Sequence, residues 1–358
     1  MFYEHNHLRH YDRAIPLKRP VTCLPRTDTI DPASTMDQLP ALGKRIEHIV
    51  GPTFKIYAPL LQQNAKTIKS VKRETFSYGP HERQQLDIYH PPQPNLKDGR
   101  RPVLVFEYGG GLVQGAKSLP AFPDDLVHAN VGAFFALKFG YTVVIADYRL
   151  LSHGAKFPSG GEDIGLVVDW ISDPQRPWEE PVDLFIMGNS AGGIHLSTFL
   201  LHSDFAETRR RVLTGDGTRL RGAVMLSVPF HFAAAAEGRK EVLSNYFGDY
   251  VANSPLGLLK SAREQQTPLD FVAGGTRVLV LDGELDPEDE ILKPRDDFIA
   301  EWARMTDNES RGALAVDWTT GHNHISPFAS LGTGVEREEA WGAQVAAFCD
   351  NIRKHAPR

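Results

Sequence analysis

The chain predicts an α/β fold, a doubly wound and mostly parallel sheet, and three observations carry that expectation. Short apolar runs alternate with helical stretches from about residue 72 onward, the pattern of a sheet layered between helices. Several runs, VLVF and LFIM among them, lack polar alternation, as strands covered on both faces require. A glycine-flanked serine and two acid- or histidine-bearing turns follow such strands. They fall on the C-terminal edge, where open α/β sheets place their sites.

Residues 1 to about 70 read as an irregular arm and cap helices, with Leu39, Leu42, Ile46 and Val50 at helical spacings of three or four. The domain carrying the chemistry is then 71–358. Its candidate strands are Gln85–Tyr89, Val103–Glu107, Tyr141–Tyr148, Leu184–Met187, Ala223–Val228, Arg277–Asp282 and Leu314–Trp318. Helical segments fall at Asp125–Leu137, Glu162–Ser172, Ala191–Leu201, Asp296–Met305 and Glu336–Cys349. Between the fifth and sixth strands the connection is longer than one crossover helix needs. Residues 229–269 are therefore expected to form an insertion or lid over the C-terminal edge.

Composition narrows the function classes. Of 358 residues, 41% are hydrophobic and 23% charged, as in ordinary globular proteins. A net charge of -6 provides no electrostatic footprint for nucleic acid or an anionic membrane. Cys23 and Cys349 form neither a disulfide framework nor a zinc spacing. The polar opening MFYEHNHLRHYDRAIPLKRP has no apolar run suited to a signal peptide, so a cytoplasmic protein is expected. The cluster His5, His7 and His10 has no acidic or cysteine partner at ligand spacing, and no metal site is assigned to it.

The window LFIMGNSAGGIHLSTFL holds Gly188-Asn189-Ser190-Ala191-Gly192, a G-x-S-x-G run between a strand and a helix. Flanking glycines relieve crowding in a sharp turn that lifts the Ser190 hydroxyl above the strand ends. The N–H of Ala191, at the helix start, suits developing negative charge. A tight packing turn or a phosphate loop would share these residues. A serine nucleophile needs a base, and the base an orienting acid. Asp286, in the turn closed by Pro287, is the acid candidate among Asp282, Glu284, Glu288 and Asp289. His322 and His324 both follow the next strand, and the residues alone leave the base open between them.

With YGGG, GNSAGG, GELDP and GHNH in this order, residues 72–352 resemble the α/β-hydrolase superfamily, and within it the hormone-sensitive-lipase-like and feruloyl-esterase or kynurenine-formamidase-like branches. LDIYHPP and ADYRLLSHGAKFPSGGEDIG are similar to further family segments. The resemblance implies Ser190 as nucleophile, Asp286 as acid and His324 as base, with oxyanion donors from the backbone of Gly110, Gly111 and Ala191. It departs at Tyr108, where the family usually has histidine.

Backbone N–H groups perform the chemistry of such a loop, so Tyr108 is expected to brace it by hydrogen bonding. Glu107, a carboxylate at a strand end, is expected to be paired or to meet substrate. Leu112, Val113, Phe230, Phe232, Tyr246, Phe247 and Phe328 supply apolar surface near these loops, and Glu107, Tyr108, Leu112, Phe230, Phe232, Tyr246 and Phe328 form the expected substrate-contact set.

The expected activity is hydrolysis of small to medium uncharged carboxylic esters through an acyl-enzyme, without cofactor. An arylformamidase, another amidase or a lactonase would use the same triad. A catalytically silent binding protein is the reading from another class. Partner expectations are a small-molecule ester, no nucleic acid and no membrane, with a homodimer left open.

Overall fold

In the computed structural model, which describes residues 35–355 apart from 120, 121, 306 and 307, the strands are β1 (Lys72–Ser77), β2 (Gln85–His90), β3 (Arg101–Glu107), β4 (Thr142–Ala146), β5 (Val182–Asn189), β6 (Thr218–Leu226), β7 (Arg277–Gly283) and β8 (Leu314–Thr319). They form one sheet in the order β1-β2-β4-β3-β5-β6-β7-β8. β2 runs antiparallel to β1 and β4, and the remaining pairs are parallel. His5, His7, His10 and Cys23 lie outside the described residues.

The continuous apolar runs have a simple origin, because successive residues of a strand point to opposite faces. Val103 and Val105 of β3 join Leu184 and Ile186 of β5 in one core, while Leu104, Phe106, Phe185 and Met187 enter the other. Helices cover both faces: α1 (Ile46–Gln63), α2 (Ala65–Lys69), α3 (Ala129–Phe139), α4 (Ser159–Ser172), α5 (Ala191–Leu201), α6 (Ala206–Thr214), α7 (Glu237–Phe247), α8 (Pro255–Glu264), α9 (Asp270–Ala273), α10 (Lys293–Trp302), α11 (Asn308–Gly312), α12 (Ser326–Ser330) and α13 (Glu336–His355). α4, α5, α6, α8 and α10 contribute to the first core, and α1, α3 and α13 to the second.

Several expectations are corrected. β1 was not anticipated from KRETFS, since charged residues disguise an edge strand that pairs only with β2. β8 forms the other edge, with Val316 and Trp318 exposed rather than covered. The spacing Leu39, Leu42, Ile46 and Val50 is not one helical stripe: Gly43, at φ 78°, ends a 3₁₀-helix over Met36–Leu42 before α1 begins. α1 instead buries Ile49, Thr53, Tyr57, Leu60 and Leu61. These side chains, apart from Thr53, share the second core with the sheet, so residue 70 does not separate two cores. The expected insertion 229–269 holds α7, α8 and the start of the segment leading to α9. α8 packs on α5 and α10 as a crossover helix, whereas α7 reaches the glycine loop through Arg239.

Candidate active site

The nucleophile candidate sits where β5 turns into α5. Ser190 has φ 51° and ψ -116°, a conformation that an L-residue adopts only when its surroundings enforce it. Its N–H donates to Leu226 O at 2.9 Å, fixing the turn to β6. Neighbouring glycines are sterically required. A Cβ on Gly192 would stand 2.1 Å from Glu107 O, and one on Gly193 2.1 Å from a Val228 methyl.

Three chain-distant side chains meet here. His324 Nε2 lies 3.0 Å from Ser190 Oγ, and its Nδ1 lies 2.9 Å from Asp286 Oδ1. Asp286 is fully buried. Its Oδ2 accepts from Ser227 Oγ at 2.6 Å and from Gly283 N at 2.7 Å. The carboxylate is therefore fixed on both oxygens. Ser227, at φ 49° just beyond β6, was not identified from sequence; a lone serine after an apolar strand carries no signal of its own.

The competing candidates are placed elsewhere. His322 is buried with Nδ1 2.9 Å from Ser326 Oγ and Nε2 3.1 Å from Glu338 O. Burial is the main cause holding its pKa down at about 4, so the ring is neutral. Asp282 is also buried, and neither of its oxygens has a hydrogen-bond partner among the described residues. Burial, followed by the nearby Asp286 carboxylate, pushes it well above the usual carboxyl range. Neither side chain hydrogen-bonds to His324 or Ser190.

The histidine loop is braced from a helix whose role the sequence left open. Asn323 Oδ1 accepts from Ile325 N and Ser326 N at 3.0 and 2.9 Å, while its Nδ2 donates to Thr53 Oγ1 of α1 at 2.9 Å. Residues flanking His324 are thus tied to the N-terminal segment.

The loop after β3 faces the same turn. A Cβ on Gly109 would stand 3.2 Å from Ser190 Cβ. Gly110 and Gly111 have φ 150° and 62°, values that suit glycine. Among the described residues, the N–H groups of Gly110, Gly111 and Ala191 donate to no protein acceptor. Unused N–H groups beside a serine hydroxyl suit an anionic oxygen.

Tyr108 is fully buried, and its ring stacks between His128 and Tyr148 at centroid distances of 5.3 and 4.7 Å. Its hydroxyl donates to Asp147 Oδ1 at 2.6 Å and accepts from Arg83 Nη2 at 2.9 Å. The same Arg83 nitrogen donates to Gly115 O at 3.0 Å, and Lys117 N donates to Asp147 Oδ1 at 2.5 Å. Arg83 and Asp147 thus join Tyr108 to the far end of the glycine loop. The buried, hydrogen-bonded hydroxyl agrees with the loop bracing expected of Tyr108 rather than with substrate contact.

Glu107 is buried beneath the turn, with Oε1 unpartnered among the described residues. Burial, then the Asp163 and Asp147 carboxylates, raise its pKa to about 8. It is a buried carboxyl in this structure, without the pairing expected at Oε1.

The aromatic set divides. Phe230 is a core residue stacked on Phe298 at 4.2 Å. Tyr246 is buried, and its hydroxyl accepts from Gly160 N at 3.1 Å, anchoring α7. Phe247 is buried beside it, and Val113 is exposed. Phe232 lines a cavity of about 940 Å³ together with His202, His231, Tyr250 and Leu256, and that lining includes none of Ser190, Asp286 and His324. Leu112, at φ 74°, and Phe328 are buried on the loop side and the histidine-loop side respectively. Packing accounts for the burial of Phe230 and Tyr246, whereas Phe232 is half-buried at a cavity away from Ser190.

Residues 86–225 match the BD-FAE family model. The phenmedipham hydrolase of Pseudarthrobacter oxydans is 26% identical over 165 residues, covering 43% of this chain and 30% of that protein. The acetylcholinesterase of Leptinotarsa decemlineata is 28% identical over 151 residues, covering 38% of this chain and 23% of that protein. The chain thus spans about a third or less of the length of these curated relatives. A hyperthermophilic esterase from the archaeon Pyrobaculum calidifontis has the same fold, with a TM-score of 0.54 and 19% identity over 83% of this chain and 93% of that one.

Proposed function

We propose that this chain, whose residues 86–225 match the BD-FAE family model, is a serine hydrolase that cleaves carboxylic esters through an acyl-enzyme. The observation that carries this reading is the His324 imidazole bridging Ser190 Oγ and Asp286 Oδ1 at 3.0 and 2.9 Å. In the mechanism, His324 Nε2 takes the hydroxyl proton as Oγ attacks the ester carbonyl, while Nδ1–H remains donated to Asp286. Gly110, Gly111 and Ala191 N–H groups receive the oxyanion, each well-placed donor contributing roughly 3 kcal/mol. The imidazolium then protonates the departing alcohol. Water, deprotonated by the same Nε2, attacks the acyl carbonyl, and the imidazolium returns that proton to Ser190 Oγ as the acyl–oxygen bond breaks and the acid leaves. Asp286 stabilises the transient imidazolium without taking its proton.

The test is steady-state hydrolysis of short-chain nitrophenyl esters alongside N-formyl aryl amines. Ester turnover that falls roughly 10⁴-fold or more in folded Ser190→Ala supports the proposal. Turnover retained in that variant would overturn it. Faster cleavage of formamides than of esters would replace esterase by formamidase on the same triad.

A further inference from the structure

The serine-hydrolase reading leaves one cation beside the glycine loop without a hydrogen-bond or ion-pair partner among the described residues. Arg239 of α7 lies against Gly111, and a Cβ on that glycine would stand 3.0 Å from both Nη1 and Nη2. The guanidinium can approach the loop because position 111 has no side chain. Other half-buried or buried arginines are tied to carboxylates or carbonyls: Arg83 to Tyr148 O, Arg149 to Asp163, Arg209 to Asp270 and Arg353 to Asp183. No hydrogen bond or ion pair joins the Arg239 guanidinium to any described residue. Exposed Glu290 attracts it without forming an ion pair, and burial pulls its pKa down. A half-buried guanidinium with no protein acceptor is less well satisfied than these paired arginines. It becomes favourable when an anion completes its planar donor fork.

We infer that Arg239 recognises a carboxylate carried by the substrate a few bonds from the scissile carbonyl. The inference rests on the Ser190 hydrolase reading and replaces the uncharged substrate expected from sequence. Gly111 supplies an N–H on the oxyanion side, while Arg239 stands on the flank of the same residue. A short arm from the ester therefore suffices to bring its acid group to the guanidinium. The substrate class is an ester with a carboxylate on either its acyl or its alcohol part, and the chemistry recognised is the same in both.

The experiment compares kcat/KM for matched pairs of nitrophenyl esters, glutarate half-ester against butyrate, and for acetoxyacetate against ethyl acetate. The pairs place the carboxylate on the acyl and alcohol sides respectively. The expected result is a preference for the charged member of at least one pair, its ratio falling roughly 10- to 100-fold in Arg239→Gln. Arg239→Lys should fall between, and Arg239→Glu should invert the preference. Unchanged ratios in Arg239→Gln, or equal losses on charged and neutral esters, would overturn the inference and leave the hydrolase reading intact. If neither ester class turns over and a fluorophosphonate does not label Ser190, the hydrolase reading fails separately. Glutarate binding to Ser190→Ala, measured calorimetrically with and without Arg239→Gln, then decides the anion site: binding lost with Arg239 supports it, and no binding contradicts it.

Discussion

His322 and His324 are two residues apart and have opposite environments. His322 has both ring nitrogens engaged by a serine hydroxyl and a backbone carbonyl, whereas His324 spans Ser190 and Asp286. His324→Ala is expected to reduce kcat by roughly 10⁴-fold. His322→Ala should instead lower thermal stability and reduce kcat far less, as read from calorimetry and ester turnover on the same samples. The residues alone narrowed the base to these two positions and the family resemblance favoured His324, but only three-dimensional packing distinguishes a histidine between a serine and a carbonyl from one between Ser190 and Asp286.

Glu107 supplies a pH test. Its folded pKa is raised to about 8 from 4.5, so the folded state holds the proton more tightly. The associated stability is fully present below pH 4.5 and is lost as pH rises through about 8. Glu107→Gln should therefore flatten the decline in Tm across this window, as measured by scanning calorimetry at several pH values. A mutant retaining the full wild-type decline would show that another group causes it.

Between strand and helix, the glycine loop and the Ser190 turn are packed into one another. Sequence revealed the glycines and the turn because each has a local requirement, a positive φ or a contact too close for Cβ. It did not reveal Arg83, Asp147 or Ser227 as supports, since their partners lie in other elements. Tyr108→Phe removes the hydroxyl linking Asp147 and Arg83 while keeping the stacked ring. The expected result is a roughly 3- to 30-fold loss of kcat with little change in KM, since the oxyanion donors lose precision but remain present. A loss matching Ser190→Ala would instead place the tyrosine hydroxyl among the reacting groups.

The parallel strands bring the ends of β3, β5, β6, β7 and β8 to one edge, and with them the glycine loop, Ser190, Ser227, Asp286 and His324. At the start of β5 a different cluster holds the molecule: Asp183 accepts from Arg100 and Arg221 through Oδ1 and from Arg353 of α13 through Oδ2. Asp183→Ala leaves three arginines without their shared acceptor. The expected loss of stability is about 3–5 kcal/mol in urea unfolding, with ester turnover per folded molecule little changed. The central strands were legible from their apolar runs, while the edge strand β1 and the bracing of α1 against Asn323 were not. An edge has no two-sided burial, and a contact across 270 residues leaves no local pattern.

We propose Ser190 as a nucleophile activated by His324 and Asp286. The most direct test is the rate and site of covalent labelling by a fluorophosphonate, followed by intact-protein and peptide mass spectrometry. A single adduct on Ser190, absent in Ser190→Ala and slowed at least roughly 100-fold in His324→Ala, is the expected result. A folded wild-type chain that remains unlabelled, or labels with equal speed after loss of His324, would contradict the account.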